Sequence, residues 1–274
     1  MLDIKADDTD VNDVAPYAAF HGIANLLLLF SRKLSDVPQL SLLVQKPTVE
    51  LEESLVKFYE EEMSKPLAHE DHAALERSEN TLNYYASLVI CDVFGEPWET
   101  NLPRVTAQLR QDNDRMAGVV RHLLKVLREQ YGNPASYAQH IVDTLVYELQ
   151  LKPNDPEAQD DDEEKAQRMR RLSRALERSF PIGKDFAATC CKLIVSKLVE
   201  QSLKDPDFAP LLTWAGFFIV KVQPAGARDL LTLFRNRFDP TFTGLEGLEA
   251  PYEELKELLK ERADKEAQEA ASLK

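Results

Sequence analysis

Five arginines lie within eleven residues of the sequence, in the stretch RMRRLSRALER at residues 168–178. A guanidinium group presents its N–H donors in a rigid fork and stays charged at physiological pH, so it suits phosphate and carboxylate partners. Three residues separate it from the preceding segment DPEAQDDDEE, which holds seven carboxylates between Asp155 and Glu164. A chain with a formal net charge of −14 therefore places a cationic segment shortly after an anionic one. This charge reversal is the strongest functional signal in the sequence.

The spacing of these arginines predicts an amphipathic helix with one cationic face. Arg170, Arg174 and Arg178 follow one another at intervals of four residues, and Arg171 lies about 100° from Arg170 around a helix. The opposite side carries the apolar residues Met169, Leu172 and Leu176. We therefore predict a partner-binding surface on this helix, formed by Arg168, Arg170, Arg171, Arg174 and Arg178. The acidic residues before the helix could screen this surface until a partner competes for the arginines.

Positive charge continues beyond this helix, because residues 165–238 hold fourteen Lys and Arg against six Asp and Glu. Aromatic residues of the same region could stack nucleic-acid bases beside the cations. These aromatic residues are Trp214, Phe217, Phe218, Phe234 and Phe238. The candidate nucleic-acid-binding cations are Lys184, Lys192, Lys221, Arg235 and Arg237. The competing interpretation is that the rings are core residues, since Phe217, Phe218 and Phe234 lie in apolar helical segments, and the net charge repels a polyanion.

Two further motifs match known kinds of site only in part. His69 and His72 of HEDH stand three residues apart and could share a metal ion, but no HExxH pattern or nearby cysteine accompanies them. We interpret them as surface residues at a helix start. FPIGKD, at residues 180–185, lacks the glycine and the Ser or Thr that a phosphate loop requires around its Gly-Lys pair. It is interpreted as a helix boundary, and we predict no metal, no cofactor and no catalytic residue.

The cysteines indicate the compartment. Cys91, Cys190 and Cys191 are odd in number and two are adjacent, which is not the pattern of a disulfide framework. A reducing intracellular compartment, cytoplasm or nucleus, is therefore expected. Cys190 is in helical register with the apolar Phe186 and Ile194, so we predict burial rather than redox chemistry.

The elements that position these residues are predicted to be helices. Apolar spacing and helix-boundary signals favour an all-α fold, either an irregular multi-helix bundle or a short α-solenoid. The chain has nine glycines, which are few for strands joined by tight turns. Thr48 is the predicted cap of a helix whose core stripe begins at Val49, and YGNP at 131–134 predicts the end of one helix and the start of the next.

The two longest apolar runs are IANLLLLF at 23–30 and LLTWAGFFIV at 211–220. Each has about half of the ~20 residues that a membrane-spanning helix needs, so no membrane span is predicted. They are expected to be buried helices. The segment 16–34 is apolar on several sides, which predicts a helix at the centre of a bundle.

Composition predicts two helical lobes joined by a linker. Residues 1–15 are interpreted as an acidic flexible arm, 16–151 as an N-terminal lobe of five or six helices, and 152–164 as an acidic linker with two prolines. Within the first lobe, FGEPWETNLP at 94–103 is a predicted loop. Residues 165–274 form the C-terminal lobe, with predicted helices at 165–180, 184–204, 208–222 and 224–237 and a terminal amphipathic helix from Pro251.

These features favour a non-catalytic scaffold, adaptor or assembly subunit that binds another macromolecule through a basic helix face. A protein partner is the first hypothesis. A nucleoprotein-type protein that holds nucleic acid in a basic cleft is the second. A helical enzyme without a recognisable motif is the third, because helical enzymes often assemble their sites from distant single residues.

Overall fold

The computed structural model describes residues 8–31, 34, 37–65, 71–95, 98–111, 113–151, 162–180, 184–242 and 247–272. Within these residues every regular element is a helix and no strand occurs, so the predicted all-α multi-helix bundle is confirmed. The α-helices are α1 Asp8–Leu29, α2 Val49–Ser64, α3 His72–Ile90, α4 Trp98–Thr106, α5 Asp114–Tyr131, α6 Pro134–Gln150, α7 Asp162–Ser179, α8 Lys184–Lys204, α9 Pro210–Ile219, α10 Pro224–Leu233, α11 Asp239–Phe242 and α12 Glu249–Ser272. Single 3-10 turns lie at Ser41–Leu43, Ala107–Arg110 and Pro206–Phe208, and a π-helical turn at Phe234–Phe238 joins α10 to α11.

The helices group into two compact units. One comprises Met1–Val105 with Asn113–Val119, and the other comprises Thr106–Asp112 with Val120–Lys274. The lobe boundary predicted at 152–164 lies inside the second unit, where α6 packs against both α7 and α8. These helices share a unit because apolar residues on either side of the acidic segment bury one another. Residues 152–161 lie outside the described part of the chain, so the flexible linker stays a prediction.

The first unit is built around α3, which α1 and α2 both contact. The rings of Tyr59 in α2 and Tyr85 in α3 stack with centroids 3.9 Å apart. Both hydroxyl groups donate hydrogen bonds to α4. Tyr59 donates to the carbonyl oxygen of Arg104 at 3.2 Å, and Tyr85 donates to Oδ1 of Asn101 at 3.1 Å. Aromatic stacking and paired hydroxyls thus fasten α4 to the other two helices.

Helix boundaries fall where the capping signals place them. The side chain of Thr48 accepts a hydrogen bond from the Leu51 amide at 3.4 Å, and that of Asn133 accepts one from the Ala135 amide at 2.9 Å. Gly132 ends α5 with a φ of +53°, a conformation in which a side chain would be strained. Pro134 is the first residue of α6, as YGNP predicts.

Three local predictions differ from the structure. The segment 94–103 is not all loop, because α4 begins at Trp98 and continues through Pro103; burial of Leu102 and Val105 stabilises this short helix despite the proline. Val49 is exposed, because it lies about 120° around α2 from the buried Leu55. Helix α1 starts at Asp8, within the segment expected to be an arm, and aspartates suit a helix N-terminus.

Among the residues that the structure describes, helix α1 is not surrounded by other helices, contrary to the prediction for residues 16–34. It contacts α3 through hydrogen bonds that join Tyr17 to Asn80 and Asn25 to Tyr84. Its Phe20, Ala24 and Leu27 are buried, and the Phe20 ring stacks on Phe58 of α2. On another side Leu26 and Leu29 are 59% and 64% exposed. An apolar sequence on all sides indicates that burial is favourable, but it does not determine how many sides the chain itself covers.

The second unit is centred on α8, which packs against α6, α9 and α10, while α12 covers α9 and α10. The predicted helices of this part of the chain are present, and the terminal one begins at Glu249, two residues before its predicted start. No helix among the described residues combines the length and the apolar content that a bilayer crossing requires. The buried helix predicted at 211–220 is α9, whose Leu211, Leu212 and Phe218 are almost fully enclosed.

The central position of α3 in the first unit predicts that its buried residues contribute strongly to the free energy of unfolding. Leu82 is completely buried in α3, and its neighbour Asn83 is exposed. Leu82→Ala should lower the free energy of unfolding by roughly 2–5 kcal/mol, because it removes buried methyl groups and leaves a cavity. Asn83→Ala, the matched control, should change it by no more than about 0.5 kcal/mol. Urea unfolding followed by circular dichroism measures both, and equal losses would contradict this placement of α3.

Candidate functional site

The cationic stretch forms the middle and the end of α7, and the two sides of the helix differ as the spacing predicts. Met169, Leu172 and Leu176 are buried on one side. The other side exposes four guanidinium groups, those of Arg170, Arg171, Arg174 and Arg178. We call these four residues the arginine face. The amphipathic placement is as predicted, and binding by the face remains a prediction.

A buried carboxylate holds α7 in place. Glu148 of α6 is 1% exposed, and its Oε2 accepts a hydrogen bond from Nη1 of Arg110 at 2.9 Å. Its Oε1 lies 3.4 Å from Nε of Arg168. Burial raises the pKa of the Glu148 carboxyl, and the two guanidinium groups oppose that rise. The ion pairs connect α6, α7 and the 3-10 turn before α5, so Glu148 fixes the position of the helix that carries the arginine face.

Arg168 therefore differs from the other arginines of the predicted surface. It is only partly exposed and pairs with Glu148 as well as with Glu164, whose Oε1 lies 3.5 Å from its Nη1. Its guanidinium is directed to acids of the same chain. The signal that separates it from the other four is its position on the helical wheel, at the edge nearest the apolar side.

The arginine face has no ion pair with any residue that the structure describes. Arg174 instead lies over the half-buried ring of Phe217, 5.7 Å from the centroid, in cation–π geometry. The Phe217 ring also stacks on Trp214 of the same helix, with centroids 6.0 Å apart. The four guanidinium groups consequently keep N–H donors available to an external acceptor.

Most of the other candidate cations are engaged within the second unit. The three ion pairs join Lys192 to Asp229 at 2.6 Å, Lys221 to Glu177 at 3.0 Å and Arg237 to Glu200 at 2.8 Å. The hydrogen bond from Lys192 lowers the pKa of the Asp229 carboxyl. These pairs reduce the positive charge that this region can offer to a polyanion.

Two candidate nucleic-acid-binding cations remain, Arg235 and Lys184. Arg235 is exposed, and Lys184 begins α8, although its side chain is outside the described set. Arg237 and Phe238 of the π-helical turn line a shallow pocket of about 230 Å³ together with Lys204. Because Glu200 also lines this pocket and pairs with Arg237, the pocket offers little net positive charge.

The aromatic residues that could have stacked bases are mostly core residues. Phe218, Phe234 and Phe238 are at most 2% exposed. Trp214 is buried as well, and Phe217 is half-buried beneath Arg174. Base stacking requires an accessible ring face, so the burial of these side chains favours the interpretation that they stabilise the fold.

The other motifs do not form a chemical site among the described residues. His69 lies outside them, as does Gly183 of FPIGKD, and His72 is exposed at the start of α3. No group of three or more His, Cys, Asp or Glu is placed to hold a metal ion in the part of the chain that the structure describes. Cys190 is buried as predicted, Cys191 is buried as well, and burial raises the pKa of the Cys190 thiol to about 12. The reactive thiolate is therefore suppressed at neutral pH.

His140 is a buried histidine that the sequence analysis did not single out. It lies next to the 3-10 turn at Ala107–Arg110. The His140 ring of α6 is within 2.9 Å of Thr106 Oγ1, and Thr144 donates a hydrogen bond to the His140 carbonyl oxygen at 2.8 Å. Desolvation lowers the pKa of His140 to about 3. An isolated histidine carries no sequence signal for such burial, because only the packing of α6 against the turn determines it.

The first prediction from this geometry concerns Glu148. Glu148→Gln should lower the free energy of unfolding by roughly 1–3 kcal/mol, because it leaves two guanidinium groups without their buried carboxylate. The matched control is Glu164→Gln, which removes an exposed partner of the same Arg168 and should cost no more than about 1 kcal/mol. Chemical denaturation of the three proteins measures the difference, and a cost for Glu164→Gln as large as that for Glu148→Gln would contradict the anchoring role.

The second prediction concerns acid stability. The unfolded chain protonates His140 below its ordinary pKa of 6.5, whereas the folded chain keeps it neutral down to about pH 3. Acid therefore favours the unfolded state, and between pH 7 and pH 5 this group alone should lower the free energy of unfolding by about 2 kcal/mol. His140→Gln should remove that part of the pH dependence, and substitution of the exposed His122 by Gln should retain it. Identical pH slopes for all three proteins would show that His140 titrates in the folded state.

The arrangement as a whole presents four guanidinium groups on a helix whose opposite side is buried and anchored. Guanidinium groups recognise carboxylates and phosphates by paired hydrogen bonds. No protein-family model, curated protein or solved structure matches the chain.

Proposed function

We propose that this protein is a non-catalytic helical scaffold or adaptor that binds an acidic surface of another protein through the arginine face of α7. One observation carries the proposal. The chain has 47 acidic residues against 33 Lys and Arg, yet four neighbouring arginines have no ion pair among the described residues. Acidic residues are abundant in the chain, but those near this region pair with Lys192, Lys221 and Arg237 and not with the arginine face.

Arg174 contacts the Phe217 ring, but the arginine face has no ion pair among the described residues that would stabilise the fold. Arg170, Arg174 and Arg178 are like charges at intervals of four residues, and such pairs destabilise a helix by about 0.2–0.5 kcal/mol each. The stability of α7 comes from its buried apolar side and from Glu148. A cluster of like charges that the fold does not require is typical of a surface kept for an oppositely charged partner.

A protein is a better partner than a nucleic acid for this surface. Of the five aromatic side chains that could stack bases, four are buried, and three of the additional cations are paired with acids. The net charge of −14 also repels a long polyanion. A localised acidic patch on a protein needs only the arginine face. We further propose a reducing compartment, which the free Cys91, Cys190 and Cys191 support.

The experiment compares partner capture by three full-length proteins. The test variant changes Arg170, Arg171, Arg174 and Arg178 to Gln. The control variant removes the same charge from exposed positions away from α7, at Arg121, Lys125, Lys204 and Lys265. The wild type and the control should retain one nuclease-resistant partner from lysate of the source organism, and the test variant should lose at least nine-tenths of it. All three should melt alike, because exposed substitutions change stability by no more than about 0.5 kcal/mol each.

Binding of the purified partner should also weaken as salt increases for the wild type and the control, because salt screens charges at a surface. Loss of capture after nuclease treatment would replace the proposal by the nucleic-acid hypothesis. Equal capture by all three proteins, or none by the wild type, would refute the arginine face as a recognition surface. If the test variant instead melts lower only at low salt, the arginines pair with acids of their own chain.

A further inference from the structure

The first unit carries exposed apolar side chains that none of its described residues cover. Leu42 is 92% exposed, and Leu26 and Leu29 of α1 are more than half exposed. The other large apolar side chains exposed among the described residues of this unit are Val37, Leu40, Leu43 and Val49. Outside it, the only large apolar side chains exposed to this degree among the described residues are Val220 and Leu258. Concentration of such side chains in one place marks an interaction surface on a protein.

Backbone hydrogen bonds bring the members of this surface together. After α1 the chain makes successive turns, in which the Val37, Leu40 and Leu43 amides each donate to the carbonyl oxygen three residues earlier. The Gln45 amide then donates to the Phe30 carbonyl oxygen at 2.8 Å. Residues 37–45 therefore fold back on the C-terminal end of α1, next to Leu29. The exposed turn therefore lies near the C-terminal end of the exposed side of α1.

The exposed side of α1 has the spacing of a helix-packing seam. Ala15, Ala19, Gly22, Leu26 and Leu29 are separated by alternating steps of four and three residues, and all five are exposed. On a helical wheel they fall within about 40° of one line, opposite the stripe that packs on α3. Alternating steps of four and three are the pattern by which one helix packs along another over several turns. The seam therefore fits an α-helix.

The order of side-chain sizes along this seam identifies the helix that fits. The seam is small at its N-terminal half and large at its C-terminal half, with Gly22 in the middle. If a second α1 packs antiparallel and crosses at Gly22, Ala15 lies opposite Leu29 of the other copy, and Ala19 lies opposite Leu26. Large side chains then meet small ones throughout. A parallel pair would oppose leucine to leucine and leave the alanine half poorly packed.

Charge favours the same arrangement. The sequence of α1 starts with DTDVND, whereas its C-terminal end lies beside the exposed Lys46, which directly follows the residue whose amide bonds to Phe30. An antiparallel pair brings the acidic start of each helix to the cationic end of the other. A parallel pair would place like charges together at both ends. Size and charge along α1 are therefore self-complementary only when the second copy runs in the opposite direction.

We propose that α1 is a homodimerisation helix, and that two copies of this chain pair antiparallel through Ala15, Ala19, Gly22, Leu26 and Leu29. The turn at residues 37–43 extends the contact over the N-terminal half of the other α1. A Cβ added at Gly22 would meet no described residue within 4 Å beyond the backbone of its own helix, so the space over this residue is open to the second copy. This surface shares no residue with the arginine face, so a test that refutes one proposal leaves the other unaffected.

Sedimentation analysis of the full chain tests the proposal. The wild type should have twice the mass of the 31.1 kDa chain at about 50 μM, a concentration that detects weak micromolar dimers. Leu26→Glu with Leu29→Glu should raise the dissociation constant at least tenfold, since two charges enter the seam. The matched control is Val220→Glu with Leu258→Glu, which changes the two large apolar residues exposed elsewhere in the described part of the chain and should leave the dimer intact. Circular dichroism of each variant confirms that its helices remain folded.

A second variant distinguishes close helix packing from unspecific apolar association. Gly22→Leu adds a side chain where the two helices cross, so it should weaken the dimer at least tenfold although it makes the surface more apolar. Its helix content should not fall, because the added group meets open space in the single chain. A monomeric wild type, a dimer that survives the Leu26 and Leu29 changes, or tighter association of Gly22→Leu would each refute the proposal.

The direction of the helices is tested by cysteine cross-linking. A mixture of Ala19→Cys and Leu26→Cys chains should form a mixed disulfide dimer, because these positions are opposite one another in the antiparallel pair. Leu26→Cys alone should cross-link at most a tenth as well. Efficient cross-linking of Leu26→Cys to itself would show a parallel pair and overturn the proposed arrangement.

Discussion

The ion pairs of Glu148 are the interaction on which the second unit depends for the position of α7. A carboxylate that is almost fully enclosed is costly unless positive groups accompany it, and here Arg110 and Arg168 approach it from two different segments. The turn at Ala107–Arg110, the end of α6 and the start of α7 must therefore meet at one point. His140 and Thr106 add a second polar contact beneath the same turn. Such a junction limits the alternative positions of α7 along α6.

This junction divides the arginines of one short stretch into two groups with different roles. Arg168 is committed to acids of its own chain, whereas the four residues of the arginine face point away from the core and stay without an ionic partner among the described residues. The apolar side of α7 orients the helix, and Glu148 sets its position. If the arginine face binds a partner as proposed, its place on an anchored helix limits the conformational entropy that binding would cost.

The first unit presents the opposite kind of surface, apolar rather than charged. Helix α1 buries one stripe on α3 and leaves a second stripe of Ala, Gly and Leu exposed. A sequence that is apolar on all sides predicts complete burial, and the described residues of the chain supply only part of that burial. The mismatch between the apolar pattern and the burial is informative, because exposed leucines lower solubility unless another surface covers them.

By itself, the sequence determined the all-α fold, most helix boundaries and the orientation of α7. Capping groups such as Thr48 and Asn133, and the spacing of Met169, Leu172 and Leu176, act within one or two helical turns, so a local pattern is sufficient to identify them. The tertiary structure alone decided that Arg168 pairs with Glu148, that His140 is buried, that residues 98–103 are helical and that one side of α1 is exposed. Each of these depends on residues distant in sequence. Burial, ion pairing and exposure of a residue depend on which other residues lie next to it in space. The periodicity of one helix does not specify those neighbours.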